Sequence, residues 1–181
     1  VLIKYASEEI KQDLLPRIIK GELSFCIGMS EPDSGSDLFA AKTRADRAAD
    51  GWLINGRKLW TSRAHESDYM IGLFRTSAPT QENRRHGLSQ FLVDMKTPGI
   101  STRPVLHPNG NYEFNEVIFE DALLPPDNLL GEVDMAWKQA TSELAYERSG
   151  SERFLETIQV LMELVDVIGE DPGLREAEGL G

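Results

Sequence analysis

Three short stretches hold side chains whose types and spacing could do chemistry. The first is FCIGMSEPDSGSDL, residues 25–38, where a short apolar run passes directly into serines, acids, a proline and glycines. A strand that ends at Met29 and Ser30 and gives way to so much turn chemistry leaves backbone N–H groups outside any ladder, and buried amides need partners. The hydroxyls of Ser30, Ser34 and Ser36 add both donors and acceptors. Two readings are open: Asx and Ser turns that satisfy one another, or a loop that hydrogen-bonds a flat heteroaromatic ligand. The second stretch is KLWTSRA, residues 58–64. Trp60 offers an aromatic face on which a planar ring could stack, and Thr61 and Ser62 carry hydroxyls to opposite faces of a strand; the alternative is a core tryptophan. The third is Glu147, on the apolar stripe of Trp137, Ala140, Leu144, Phe154 and Leu155 and thus on the side of a helix expected to be buried. A carboxylate there is costly unless paired or used, and burial raises its affinity for a proton. The pairing candidates are Arg148 and Arg153, of which Arg148, being adjacent, does not share the helix face.

Other chemistries lack their residues. There is no G-x-G-x-x-G after a strand, no G-x-x-x-x-G-K-[ST], and GMSEPDSG is not a G-x-S-x-G elbow. The histidines, His65, His86 and His107, lie far apart without ligand spacing, and Cys26 is the single cysteine, so neither a metal site nor a disulfide framework is expected. The formal net charge is −11, with no basic run beyond Arg84 and Arg85, which argues against nucleic acid and anionic membrane as partners. No apolar run approaches the ~18 residues of a spanning helix, and VLIKYASEEIKQ lacks the features of a signal peptide. A cytoplasmic location is expected. The chain opens without methionine and stops amid small and polar residues, so it reads as a piece of a longer protein.

The elements that must position these stretches follow from periodicity. Residues 7–20 predict a helix with Ser7 as N-cap, Glu8 and Glu9 at its positive end, a kink or split at Pro16 and a stop at Gly21. From Ser24 to about Asp127 short strands alternate with turn signals at Asp50-Gly51, Asn55-Gly56 and Asn109-Gly110, the texture of a barrel or sandwich. Residues 79–87 predict an exposed loop. Met135 to about Ile168 predicts helix, weakened at Gly150.

MSEPDSGSD followed by NGRKLWTS resembles the flavin-binding middle domain of the acyl-CoA dehydrogenases. EEIKQDLLPRIIKGEL resembles the last helix of that family's N-terminal helical domain, GLSQFLVDMKTPGI its G-x-x-x-F-L-V strand, and NEVIFEDALLPPDNLLGE the exit toward its C-terminal bundle. The resemblance implies an α+β fold with a central antiparallel β-barrel flanked by helices. The implied domains are 1–23 as the end of the N-terminal helical domain, 24–130 as the barrel and 131–181 as the start of the C-terminal helical domain. It implies FAD as cofactor, touched by Ile27, Gly28, Met29, Ser30, Gly35, Trp60, Thr61 and Ser62. It implies an acyl-CoA substrate contacted by Ser36 and Arg148, with Glu147 as the base that takes the α proton while hydride leaves the β carbon. The implied partners are an electron-transfer flavoprotein and further subunits in a homo- or hetero-oligomer, dimer or tetramer. ELAYERSGSERF resembles a subgroup acting on bulky substrates, including steroid side chains in actinobacteria. Two departures stand out: Asp33 where many relatives carry glycine or asparagine, and Ala145 where an acid often precedes the base. An oxygen-using oxidase, a non-catalytic partner subunit and a plain β-barrel binding module are the competing readings.

Overall fold

In the computed structural model, which describes residues 1–148, 150 and 152–170, a short helix α1 (Leu2–Tyr5) leads into α2 (Glu8–Ile19). Ser7 caps α2, its Oγ accepting from the Ile10 amide at 3.3 Å. The helix continues through Pro16 as one element instead of splitting there. The lost N–H bond is offset by packing of Ile10, Leu14 and Ile18 against Ile71, Leu92 and Leu130 of the sheet. Gly21 closes the helix at φ +70°, as expected, with Gly21 N–H donating to the Ile18 carbonyl (3.0 Å) and Glu22 N–H to that of Arg17 (2.9 Å).

The strands are β1 (Phe25–Gly28), β2 (Arg44–Ala48), β3 (Gly51–Ser62), β4 (Tyr69–Arg75), β5 (Leu88–Asp94), β6 (Ile100–Pro104), β7 (Phe114–Leu124) and β8 (Leu129–Leu130). They form one sheet in the order β6-β7-β3-β2-β4-β5-β8, with β1 beside β4. This corrects the expected closed antiparallel barrel, although the α+β class stands. The sheet is open, with β6 and β8 as its two ends. It is also mixed, since β1 runs parallel to β4, and β2 meets β4 in parallel at the pair Arg44 and Arg75. Alternation of apolar residues reports which face of a strand is buried, but it carries no information on which strand edges meet.

The sheet curls so that its two halves share a core. Trp52 of β3 meets Phe91 of β5 edge-on at 5.2 Å, and Phe74 of β4 meets Phe119 of β7 at 5.3 Å. The outer faces of β4 and β5 are covered too. Ile71 and Leu92 lie under α1 and α2, and Leu73 and Leu88 pack with Ala136 and Ala140 of α3 (Ala136–Arg148). Burial on both faces explains why YMIGLF and LSQFLV read as near-continuous apolar runs.

One turn signal misleads. Asn55 and Gly56 lie inside the continuous strand β3, not at a hairpin. Here β7 carries one extra residue: Asp121, at φ +50°, donates its N–H to Asn55 Oδ1 (2.9 Å), and Asn55 Nδ2 donates back to its carboxylate (2.9 Å). Gly56, at φ +133°, lets the Thr43 backbone approach closely. The other two turns form, between β2 and β3 and at Gly110, and residues 79–87 are a largely exposed loop.

The chain divides into units 1–140 and 141–181. In the second, α4 (Glu152–Glu170) follows a break near Gly150. Its Leu155, Ile158, Leu161, Met162 and Val165 are exposed, although the sequence puts them on a stripe built for burial; the side chain of Phe154 lies outside the described residues. No described helix is long and apolar enough to cross a membrane, and among the described residues no cluster of His, Cys, Asp and Glu could hold a metal ion.

Candidate functional site

The two chemistry-bearing stretches of the first unit meet. Glu31 and Ser34 close a tight turn through paired backbone bonds of 2.6 and 3.1 Å, and Ser34 Oγ donates to the Asp37 carbonyl at 2.8 Å. In this half of the loop the polar groups satisfy one another, and Ser34 is buried. The Glu31 carboxylate points inward. It accepts from the backbone amides of Lys42 (2.6 Å) and Thr43 (3.1 Å) and from the Lys58 ammonium (2.7 Å). Lys58 is fully buried; its Nζ lies 3.4 Å from the Met29 carbonyl and 5.2 Å from the Phe74 ring centre. Next along β3, the Leu59 amide donates to the Ser30 carbonyl at 2.9 Å.

Burial pushes the Lys58 ammonium down to about 8, with Glu31 opposing the shift and Arg75 adding to it. Burial alone would raise Glu31, but the charge of Lys58 and the hydrogen bonds from Lys42, Lys58 and Thr43 outweigh it and hold the carboxyl below the ordinary range. Sequence reading missed the pair, although a signal exists. Trp52, Ile54, Gly56 and Lys58 share one face by period two, and a lysine on an apolar face requires an acid.

Just beyond Lys58 the strand opens. Between the pairs Lys58–Val117 and Thr61–Asn115, β3 carries one extra residue. Trp60 adopts φ +62°, a left-handed conformation that is rare for a bulky side chain. It is 56% exposed, with its ring 6.0 Å edge-on from Phe114, so it is not a core tryptophan. The bulge leaves Thr61 buried and Ser62 exposed. Thr61 Oγ1 is sealed without a hydrogen-bond partner among the described residues. Opposite it, Asn115 Nδ2 donates to the carbonyls of Thr61 (3.3 Å) and Glu113 (3.2 Å), while its Oδ1 is likewise unpartnered among the described residues.

The other candidates distribute around this junction. Ile27 is exposed, Ser30 is half-buried, and Met29 is buried against Leu73 and Leu88. Gly28 is buried, and a Cβ there would collide with the Met70 sulfur. Gly35 and Ser36 are exposed beyond the Glu31–Ser34 turn, and among the described residues no hydrogen bond joins them to the junction. Glu147 and Arg148 belong to α3, but their side chains lie outside the described residues. The junction therefore presents a strained, exposed aromatic face with hydroxyl and backbone groups at its rim, over a polar foundation closed to solvent. That arrangement suits a planar polar ring.

Residues 26–122 match the family described as Acyl-CoA dehydrogenase, middle domain. Acyl-CoA dehydrogenase IpdE1 of Mycobacterium tuberculosis is 37% identical over 182 residues, covering 97% of this chain and 47% of the relative. Among solved structures, the Tcur3481-Tcur3483 steroid ACAD matches with a TM-score of 0.80 at 32% identity, over 98% of this chain and 45% of that one. A glutaryl-CoA dehydrogenase from Mycobacterium smegmatis in complex with FADH2 matches with a TM-score of 0.64 at 27% identity, over 75% of this chain and 34% of that one. The chain spans from 24% to 48% of the length of the first curated relatives it matches.

Proposed function

Because this chain belongs to the acyl-CoA dehydrogenase family, we propose that its parent protein removes hydrogen across the α,β bond of an acyl-CoA thioester with FAD as cofactor. The observation that carries the reading is the junction itself: the Leu59–Ser30 bond and the Glu31–Lys58 pair bring the serine-rich loop against a bulge that exposes Trp60. The residues fit a flavin. Trp60 offers a face for the ring, and Thr61 Oγ1 is polar, buried and unpartnered among the described residues. Ile27, Gly28, Met29, Ser30, Gly35, Trp60, Thr61 and Ser62 are assigned to the cofactor. Of these, Met29 and Ser30 would meet the pyrimidine edge and Ser62 the N5 edge.

When bound, FAD supplies the acceptor for the hydride that leaves the β carbon. The chain does the rest. Trp60 covers the ring and keeps water from it. Ser36 and Arg148 hold the acyl-CoA. The Glu147 carboxylate accepts the α proton, which the thioester carbonyl makes acidic. Residues 24–130 form the flavin domain, with 1–23 and 131–181 belonging to the helical domains on either side. Electrons pass to an electron-transfer flavoprotein, and the protein works in the cytoplasm as a dimer or tetramer of like or unlike subunits. The match to the Tcur3481-Tcur3483 steroid ACAD favours a bulky acyl group.

The test is the visible spectrum of the full-length protein before and after anaerobic addition of a panel of acyl-CoAs. A flavin band that bleaches with one acyl class is expected. In Glu147→Gln, FAD should stay bound while bleaching slows by about 10²–10⁴-fold. A protein that takes up no flavin even after reconstitution overturns the reading.

A further inference from the structure

A buried ion pair is a poor device for stability alone, because well-packed apolar residues of the same volume do as well or better. The pair Glu31–Lys58 nevertheless lies in the core, with side chains 5% and 0% exposed, and no catalytic step uses it. What distinguishes it is direction. The Lys58 ammonium touches two groups of the serine-rich loop, the Glu31 carboxylate at 2.7 Å and the Met29 carbonyl at 3.4 Å. The carboxylate in turn receives the amides of Lys42 and Thr43, which end the same loop. Thr43 then locks to β3 at Arg57, its Oγ1 donating to the Arg57 carbonyl at 2.9 Å and lying 3.2 Å from the Arg57 amide. Both ends of the loop are thus pinned to β3 at residues 57–58, immediately before the bulge that turns Trp60 outward.

We propose that Glu31 and Lys58 are a positioning pair for the flavin, setting the Met29–Ser30 backbone in register with the Trp60 bulge so that both edges of the ring site form together. The proposal rests on the flavin reading above. Without the pair the loop still folds over an apolar floor, since Met29 packs on Leu73 and Leu88. The Ser30 carbonyl and the Leu59 amide, 2.9 Å apart, would lose the restraint beside them. Preorganisation of this kind acts on affinity by lowering the cost of ordering the site when the ligand binds.

The experiment uses the full-length protein and the double variant Glu31→Gln with Lys58→Met. Two quantities are read: the thermal midpoint of the apoprotein, and the Kd for FAD from quenching of flavin fluorescence. The expected result is a midpoint close to that of the parent, because both charges leave together, with Kd raised by about tenfold or more. A Kd within about twofold of the parent overturns the proposal. So does a parallel fall of midpoint and affinity, which would make the pair a structural feature only. Should the double variant fail to fold, Glu31→Gln with Lys58→Gln carries the same comparison, since the amide oxygen at position 31 still accepts from Lys42 and Thr43 and no lone charge is left buried. A parent protein that binds no FAD in the same titration marks the failure of the flavin reading itself, and is told apart by that control.

Discussion

Lys58 and Trp60 are neighbours on one strand, yet their surroundings follow opposite rules. Around Lys58 the charge is buried and met by a carboxylate that backbone amides also support. Around Trp60 the backbone is left-handed, a large ring faces solvent, and the hydroxyl of Thr61 has no partner among the described residues. Saturated polar contacts rigidify a segment, whereas strain and unmet polar groups persist where something other than stability keeps them. The closed half holds shape; the open half turns a large aromatic face to solvent.

The contrast breaks first at Lys58. Lys58→Met alone leaves Glu31 as an uncompensated buried carboxylate and should lower the unfolding free energy by about 3–5 kcal/mol, measured by urea denaturation. A loss below about 1 kcal/mol would mean that the pair is no more than a surface-grade interaction.

Acid tests the same half. The Glu31 carboxyl lies below its ordinary value of 4.5 in the folded chain, so on acidification the unfolded chain takes up this proton first. The stability it contributes is complete above about pH 4.5 and is lost as pH falls through the folded value. The thermal midpoint of the parent should therefore drop more steeply on acidification than that of Glu31→Gln; parallel curves would remove Glu31 from the account.

The open half should respond in the reverse sense. Trp60→Gly relieves a left-handed residue, worth about 1–2 kcal/mol, against about 0.5–1 kcal/mol for glycine's added freedom in the unfolded chain. Stability should hold or rise by up to about 1.5 kcal/mol while FAD affinity in the full-length protein falls. A large loss of stability would place Trp60 among the structural residues. The smallest effect is expected for Thr61→Val, which removes a buried hydroxyl without a partner among the described residues and should shift stability by no more than about 1 kcal/mol, in the favourable direction. A loss beyond about 2 kcal/mol would reveal a partner for that hydroxyl.

Much of this architecture was legible in the chain. The cap at Ser7, the stop at Gly21, the strand-rich block, the exposed loop at 79–87 and the break near Gly150 all follow from local chemistry. So did the two stretches that meet at the junction. Pro16 deceived because packing of α2 on the sheet outweighs one missing bond. Asn55-Gly56 deceived because a bulge in the facing strand uses the same residues as a hairpin turn. In the serine-rich loop, the reading in which turns satisfy one another holds for Glu31 to Asp37.

The sequence by itself determined which residues alternate, where helices start and stop, and the ordered pair of motifs by which the family is recognised, because these depend on neighbours within a few positions. Only the tertiary structure decided that the sheet stays open, that Lys58 finds Glu31 27 positions away, and that Trp60 faces outward. Those outcomes depend on which strand edges meet and on one inserted residue in β3. In a structure of period two, a single extra residue exchanges the buried face for the exposed one.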